Sequence, residues 1–534
     1  MKPVDYSLYL VTDSTPGILG TADLVSVVEA ACRGGVTVVQ YREKQADTGT
    51  LVRTARALHA VTRRHGVPLL VNDRVDVALA VGCEGVHVGQ DDMDLATARR
   101  LLGPAALIGV TASTLDEARA AARGGADYLG LGTVFATATK TNTKHIIGTA
   151  GLRAILDGLA RDDAAAAAAV KTVCIGGIHA GNVQRVLYQS AAPTKALDGV
   201  AVVSAVVAAV DPDAASRSLL TLVRSPPPFT RGVLAAGSPG AASSAEAVLA
   251  LVPDVIRAVA AQAPLSHNMT NLVVQNLAAN VALAVGASPI MANFGDEAVD
   301  LAALGGALVV NMGTVTPEGL DNYAKALRAY NAVGQPVVFD PVGAGATAVR
   351  RAAVKTLLAA GYLDIIKGNE GEVTTVLGEA PPQQQKGVDS SPSTLTAAAK
   401  ASLVQRLAAR ERNVVLMTGA VDYVSDGTRT FAVANGHALL GAVTGTGCCL
   451  GTTVSAMVAA QRAGGGDGDR LAAVVAGLLH YEIAAERAAV RDDVKGPGSF
   501  VPAFLDELAR VRQMTVDGDL AWLAAAKVSL VEEA

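Results

Sequence analysis

The chain has 534 residues, 51% of them hydrophobic and 17% charged, with a formal net charge of −5. This length exceeds one ordinary domain, and the apolar content supplies cores that a disordered chain lacks. The slight acidic excess gives no general attraction to nucleic acid or anionic lipid, so any phosphate recognition has to be local.

No apolar run approaches the ~20 residues of a membrane helix. Residues 1–13 read directly into a strand, without the basic, apolar and small-residue segments of a secretory signal. A cytoplasmic protein with neither membrane nor nucleic-acid partners is the expectation. Cys32, Cys83, Cys174, Cys448 and Cys449 form an odd, scattered set without a C-x-x-C pair, which argues against a disulfide framework and a zinc site.

Eight short apolar runs, at 8–11, 36–39, 68–71, 85–88, 107–110, 128–131, 172–175 and 199–203, alternate with helical segments. Continuous apolar strands between helices imply a parallel sheet covered on its faces, and eight such units close a (β/α)8 TIM barrel. Polar residues or glycines follow each run: Asp13, Gln40, Asn72 with Asp73, Gln90, Thr111, Gly132 with Thr133, Gly176 with Gly177, and Ser204. Those positions belong to the rim where barrel enzymes place their sites.

At the second strand end, alternation turns Gln40, Arg42 and Lys44 to one side, putting two cations at the rim. Asp73 and Asp92 close the third and fourth strands, so their carboxylates can meet over the barrel mouth. Hard oxygen ligands beside Lys and Arg suit Mg2+ carrying a pyrophosphate. The sixth strand opens into Thr137, Thr139 and Lys140, and the bare amides of Gly176 and Gly177 can receive a phosphate. His87, between Val86 and Val88, reads as a packed structural histidine.

Proline, glycine and serine concentrate at 225–246, which reads as a linker between domains 1–224 and 247–534. Beyond it a helix at 272–285 precedes strands at 308–311, 336–340, 363–367 and 414–418, the pattern of a second α/β domain. The D-G and N-G turns within 423–440 predict antiparallel hairpins at the sheet edge, and 381–393 reads as a surface insertion. A glycine-rich turn at 441–451 then enters a helix of small residues. Amides exposed there, with the positive end of the helix dipole, suit a transferring phosphoryl group. Cys448 at this helix start is placed where a thiol pKa can fall and thiolate be favoured.

In the first half YLVTD, QYREK, VNDR, HVGQDD, YLGLGTVFATATK, IGGI and GVAVVS stand in the order found in thiamine-phosphate synthases, and residues 6–210 resemble that family. The resemblance implies that Gln40, Arg42, Lys44, Asn72, Thr111 and Lys140 bind the pyrimidine pyrophosphate substrate and that Asp73 and Asp92 hold Mg2+. Thr137, Thr139, Gly177, Val203 and Ser204 would hold the thiazole phosphate. One departure is GVTAS at 109–113, where the family often has G-x-S-x-H; Thr111 keeps the hydroxyl.

In the second half PLSHNMTN, GASPIMA, DPVGAGA, KGNEGE, MTG, GAVTGTGCC and KGPGSF together resemble hydroxyethylthiazole kinase, of ribokinase-like fold, over about 248–530. The resemblance implies that Met291 and Gly445 contact the thiazole alcohol, Lys367 and Thr418 the ATP, and that Asp340 and Glu372 organise Mg2+. Cys448, where ribokinase relatives usually carry Asp, would sit at the substrate hydroxyl, accepting its proton or only positioning it. Lys367 stands where Arg is often found. The kinase product would be the synthase's second substrate, and similarity to trimeric kinases implies a homo-oligomer, trimer or hexamer. The competing reading makes one half a catalytically degenerate scaffold.

Overall fold

The structure, a computed structural model, describes residues 3–137, 145–234, 238, 240–379, 395–463 and 468–532. The chain divides into two compact units, Met1–Pro227 and Pro228–Ala534.

In the first unit eight parallel strands close a barrel, β1 (Leu8–Val11), β2 (Val38–Tyr41), β3 (Leu69–Asn72), β4 (Gly85–Val88), β5 (Leu107–Ala112), β6 (Tyr128–Gly132), β7 (Lys171–Ile175) and β8 (Gly199–Val202). The order follows the chain, and β8 returns to β1 through Tyr9↔Ala201. The expected (β/α)8 architecture is present. Two strands differ by two residues: β5 runs on to Ala112 and takes in Thr111, and β2 starts late, because Gly35 at φ 100 closes the preceding helix and Thr37 is spent bonding Leu8. The β2 shift carries Gln40 into the strand. Val36, Val39, Leu69, Val86, Ile108 and Leu129 join the apolar core that the covering helices seal, which fits near-continuous apolar strands buried on both faces.

The second unit is a nine-stranded sheet in the order β10-β9-β11-β12-β13-β14-β15-β16-β17. Its strands are β9 (Leu265–Met269), β10 (Ser288–Ile290), β11 (Ala307–Asn311), β12 (Val337–Asp340), β13 (Ile365–Asn369), β14 (Val414–Thr418), β15 (Asp422–Ser425), β16 (Thr430–Val433) and β17 (Val528–Leu530). The first six run parallel, and β15 to β17 form an antiparallel edge. Two apolar clusters flank the sheet, one built with the helices Thr446–Ala463 and Arg470–Ala489, the other around Phe339, Ile366 and Val415.

Several elements depart from the expectation. The helix predicted at 272–285 begins only at Gln275, after a turn in which the Val274 amide bonds the Asn271 carbonyl. Of the two predicted hairpin turns, D-G joins β15 to β16, whereas N-G leads into a 3-10 helix at Ala438–Ala442. Within 225–246, Phe229 is buried and stacks on Tyr362 at 4.3 Å. The insertion at 381–393 lies outside the described residues. Among the described residues no helix is long and apolar enough to cross a membrane.

Candidate active sites

The barrel mouth opens into a cavity of about 800 Å3. Gln40, Arg42, Lys44, Asn72 and Thr111 line it from the first strands, Asp73 and Asp92 from the loops after β3 and β4, and Thr137, Gly177, Val203 and Ser204 from the opposite side. Thr139 and Lys140 lie outside the described residues.

Asp73 has φ 61, a left-handed backbone that costs a non-glycine residue ~1–3 kcal/mol and persists only where neighbours hold it. Its amide bonds the His87 carbonyl at 2.8 Å, and its carboxyl receives Lys44 Nζ. The carboxyl also shares a hydrogen bond with Asp92, which is anchored by the Gly89 amide at 2.8 Å. Burial raises the Asp73 pKa, the Asp92 contact adds to it and Lys44 opposes it. For Asp92 burial is outweighed by the Asp73 hydrogen bond, the Gly89 amide and Lys44, and its pKa falls. Two carboxyls held together beside a single cation are a site prepared for more positive charge.

The far side is shaped by glycine. A Cβ on Gly176, at φ 112, would come within 2.3 Å of Thr133 Cγ2, and one on Gly177, at φ 68, within 2.9 Å of Phe135. The backbone of this loop can therefore approach an anion closely.

The second site gathers around the start of the helix Thr446–Ala463. Lys367 Nζ reaches Asp340 Oδ2 at 3.2 Å, Asn311 Nδ2 donates to the same oxygen at 2.9 Å, and Asn271 Nδ2 bridges Asn311 Oδ1 at 3.1 Å and Cys448 Sγ at 3.6 Å. The register Asn311↔Asp340 between β11 and β12 makes this cluster. Gly447 and Gly451 leave the room, since their Cβ positions lie 3.8 Å from Lys367 Nζ and 3.9 Å from Asp340 Oδ2. Burial works against the charged Lys367, but Asp340, Cys448 and Glu372 outweigh it and raise its pKa.

The thiolate expectation for Cys448 is corrected here. Burial pushes the thiol up to about 11, Asp340 adds to the rise, and Lys367 with the two asparagines only partly opposes it. Glu372 is likewise committed: its oxygens accept the Gly343 amide at 2.8 Å and the Asn369 amide at 2.8 Å in a capping box, so it braces the loop after Asp340. Thr418 ends β14 beside Asn369. Met291 packs at the edge of the apolar cluster that contains Val274, and Gly445, at φ 88, would meet Val274 Cγ2 at 2.7 Å with any side chain.

Both carboxylate sets fit a hard dication. Asp340 Oδ1 is buried without a hydrogen-bond partner, and the Asp73 and Asp92 carboxyls stand together, where their mutual repulsion favours an added cation. Among the described residues no three His, Cys, Asp or Glu stand together as a metal cage. One or two carboxylates completed by phosphate oxygens are the usual Mg2+ arrangement.

Sequence reasoning missed Asn271 and Asn311 as site residues, and His145 and His179, which line the barrel cavity. It also missed the buried pair Tyr9 and Tyr128. A signal for the tyrosines existed in Gly109 and Gly130, glycines inside apolar strands: a Cβ on Gly109 would strike the Tyr128 ring at 2.0 Å and one on Gly130 would meet His87 at 2.9 Å.

Comparison with known proteins gives two family matches, thiamine monophosphate synthase over residues 8–206 and the hydroxyethylthiazole kinase family over 256–514. A probable thiamine biosynthetic bifunctional enzyme of Schizosaccharomyces pombe is 40% identical, with 99% of this chain and 100% of that protein covered. A thiamine-phosphate synthase of Chloroflexus aurantiacus is 51% identical over 41% of this chain and 94% of its own length. A hydroxyethylthiazole kinase of Moorella thermoacetica is 45% identical over 46% of this chain and 88% of its own.

Proposed function

Because this chain belongs to the bifunctional thiamine biosynthetic enzymes, joining a thiamine-phosphate synthase part to a hydroxyethylthiazole kinase part, we propose that the Cys448 pocket makes the thiazole phosphate that the barrel cavity consumes. Residues 1–224 carry the coupling, 247–534 carry the phosphorylation, and 225–246 join them. The observation that carries the reading is the meeting of Lys44, Asp73 and Asp92 over the barrel mouth.

In the kinase half, 4-methyl-5-(2-hydroxyethyl)thiazole rests against Met291 and Gly445 with its hydroxyl at Cys448. The γ-phosphoryl of ATP, held by Thr418 and Lys367, passes to that oxygen as its bond to the β-phosphate oxygen breaks and ADP leaves. A neutral thiol beside Asn271 orients the alcohol rather than removing its proton, and phosphoryl transfer tolerates this because alignment and charge neutralisation supply most of the rate. The hydroxyl proton is lost to solvent as the O–P bond forms.

In the synthase half, Gln40 and Asn72 hold the pyrimidine of 4-amino-5-hydroxymethyl-2-methylpyrimidine pyrophosphate, while Arg42, Lys44, Thr111 and Lys140 hold its pyrophosphate. The C–O bond to the leaving group breaks, and the thiazole nitrogen closes the new C–N bond on the resulting cation, giving thiamine phosphate and pyrophosphate. Thr137, Thr139, Gly177, Val203 and Ser204 keep the thiazole phosphate in line. No protein nucleophile is needed; the cations act by stabilising charge on the leaving pyrophosphate. Mg2+ held by Asp73 and Asp92, and by Asp340 with the loop that Glu372 braces, would add to that neutralisation at both sites. The assembly is a cytoplasmic homo-oligomer in a multiple of three, by similarity to the trimeric kinases.

The test is a pair of variants assayed for both reactions. Cys448→Ala impairs phosphorylation alone and Asp92→Ala coupling alone; loss of both activities from either change contradicts separate sites.

A further inference from the structure

A chain of four hydrogen bonds crosses the floor of the barrel cavity. Gln40 Nε2 bonds Tyr9 Oη at 2.8 Å, Tyr9 Oη bonds Tyr128 Oη at 2.6 Å, Tyr128 Oη bonds His87 Nδ1 at 2.8 Å, and His87 Nε2 bonds Thr111 Oγ1 at 2.8 Å. Its two ends, Gln40 and Thr111, line the cavity, where Tyr9 and His87 form part of the floor between them. Tyr128 lies behind that floor, and both phenols are closed to solvent, with Tyr9 1% and Tyr128 0% exposed. Burial raises the pKa of both phenols, so each keeps one proton.

With one proton per hydroxyl and a neutral His87 ring, the chain has two senses. If Gln40 donates to Tyr9, each phenol must pass its proton onward and His87 must accept at Nδ1 and donate from Nε2 to Thr111. Gln40 then offers its carbonyl oxygen to the cavity, and Thr111 keeps its own O–H to donate. Reversing the sense reverses both ends together, giving an amide N–H at Gln40 and a lone pair at Thr111. A phosphate next to Thr111 needs a donor, which selects the first sense and makes Gln40 an acceptor.

We infer that Tyr9, Tyr128 and His87 are positioning residues for specificity, tying the recognition of an N–H donor on the pyrimidine at Gln40 to the recognition of the pyrophosphate at Thr111. A 4-aminopyrimidine carrying a pyrophosphate satisfies both ends. A 4-oxo pyrimidine does not, because turning the Gln40 amide to meet it withdraws the Thr111 donor from the pyrophosphate. Gly109 and Gly130 are the sequence's provision for this chain, since a side chain at either would displace Tyr128 or His87. The inference rests on the proposed roles of Gln40 and Thr111.

The experiment uses the full chain with Tyr128→Phe, which keeps the ring and removes the linking oxygen, and Tyr9→Phe, which cuts the chain elsewhere. The coupling reaction is followed with the pyrimidine pyrophosphate and with its 4-oxo analogue. A site built to bond a substrate N–H discriminates strongly against an analogue lacking it. Cutting the chain is expected to lower the amino-to-oxo ratio of kcat/KM by at least about tenfold, mainly through KM, with thiazole phosphorylation unchanged. A ratio unchanged in both variants overturns the inference. Gln40→Ala checks the premise separately: if it leaves KM for the pyrimidine pyrophosphate unaltered, the assignment of Gln40 falls and the inference with it, whereas a raised KM beside unchanged ratios in the tyrosine variants overturns the chain alone.

Discussion

Lys367 and Asp340 meet at 3.2 Å with side chains only 5% and 1% exposed, directly below the helix start that carries Cys448. A buried ion pair of this kind contributes little net stability when intact, but removing one partner strands the other charge at a cost of ~3–5 kcal/mol. Lys367→Met is expected to lose thiazole phosphorylation and to lower the midpoint of unfolding of the kinase part, read by thermal denaturation. Retained kinase activity would remove Lys367 from the site.

Cys448 gives a pH-dependent signature. With its thiol held up to about 11, it is protonated at neutral pH, so alkylation by iodoacetamide should be slow at pH 7 and climb steadily through pH 10. Mass spectrometry of the modified peptide measures this, with Cys448→Ser as the blank. A rate already level by pH 8 would indicate a thiolate and return Cys448 to the role of base.

A second buried acid affects stability rather than chemistry. Glu482 is 6% exposed, and burial with the neighbouring Asp422 carboxyl pushes its pKa up to about 12. The folded chain keeps a proton that the unfolded chain releases near the ordinary Glu value of ~4.3. This group's contribution is therefore full below that pH and declines as pH rises towards about 12. Glu482→Gln should raise stability at pH 8 relative to pH 5, as seen in urea midpoints, since the neutral amide needs no proton and can donate to Asp422.

Ion binding at the barrel mouth should depend on pH. Burial and the Asp92 contact raise the Asp73 pKa, so protons compete with Mg2+ there and Mg2+ loading in the presence of pyrophosphate is expected to weaken as pH falls. Calorimetric Mg2+ titrations at stepped pH read the loss, and Asp73→Asn should flatten the dependence.

Much of this architecture was legible because its signals are local. Eight strand ends, among them those carrying Gln40, Asp73, Asp92 and Gly177, reveal a barrel rim whatever the helices do. The second unit was harder to read, for a physical reason. Strand β9 reads Leu265-Ser266-His267-Asn268-Met269, hardly an apolar run, yet four of its five residues are buried. Ser266 bonds Ser455 at 2.7 Å and Asn268 bonds Thr452 at 2.7 Å, so polar side chains of a strand and a helix satisfy one another inside the core. Hydropathy cannot show a partner almost two hundred residues away. The same holds for Asn311 and Asn271, which matter through register and a turn, and for the hydroxyl chain from Tyr9 to His87, whose members come from three strands. Cys448 shows the opposite failure: the helix start is where it was expected, but the burial that decides its protonation is a tertiary property.

The most direct measurement supplies the intact chain with 4-methyl-5-(2-hydroxyethyl)thiazole, ATP, Mg2+ and the pyrimidine pyrophosphate, and follows products by mass spectrometry. Thiamine phosphate should form from the thiazole alcohol only when ATP is present, and Cys448→Ala should be rescued by adding thiazole phosphate. Accumulation of thiazole phosphate without thiamine phosphate, or no phosphorylation at all, would contradict two working sites in one polypeptide.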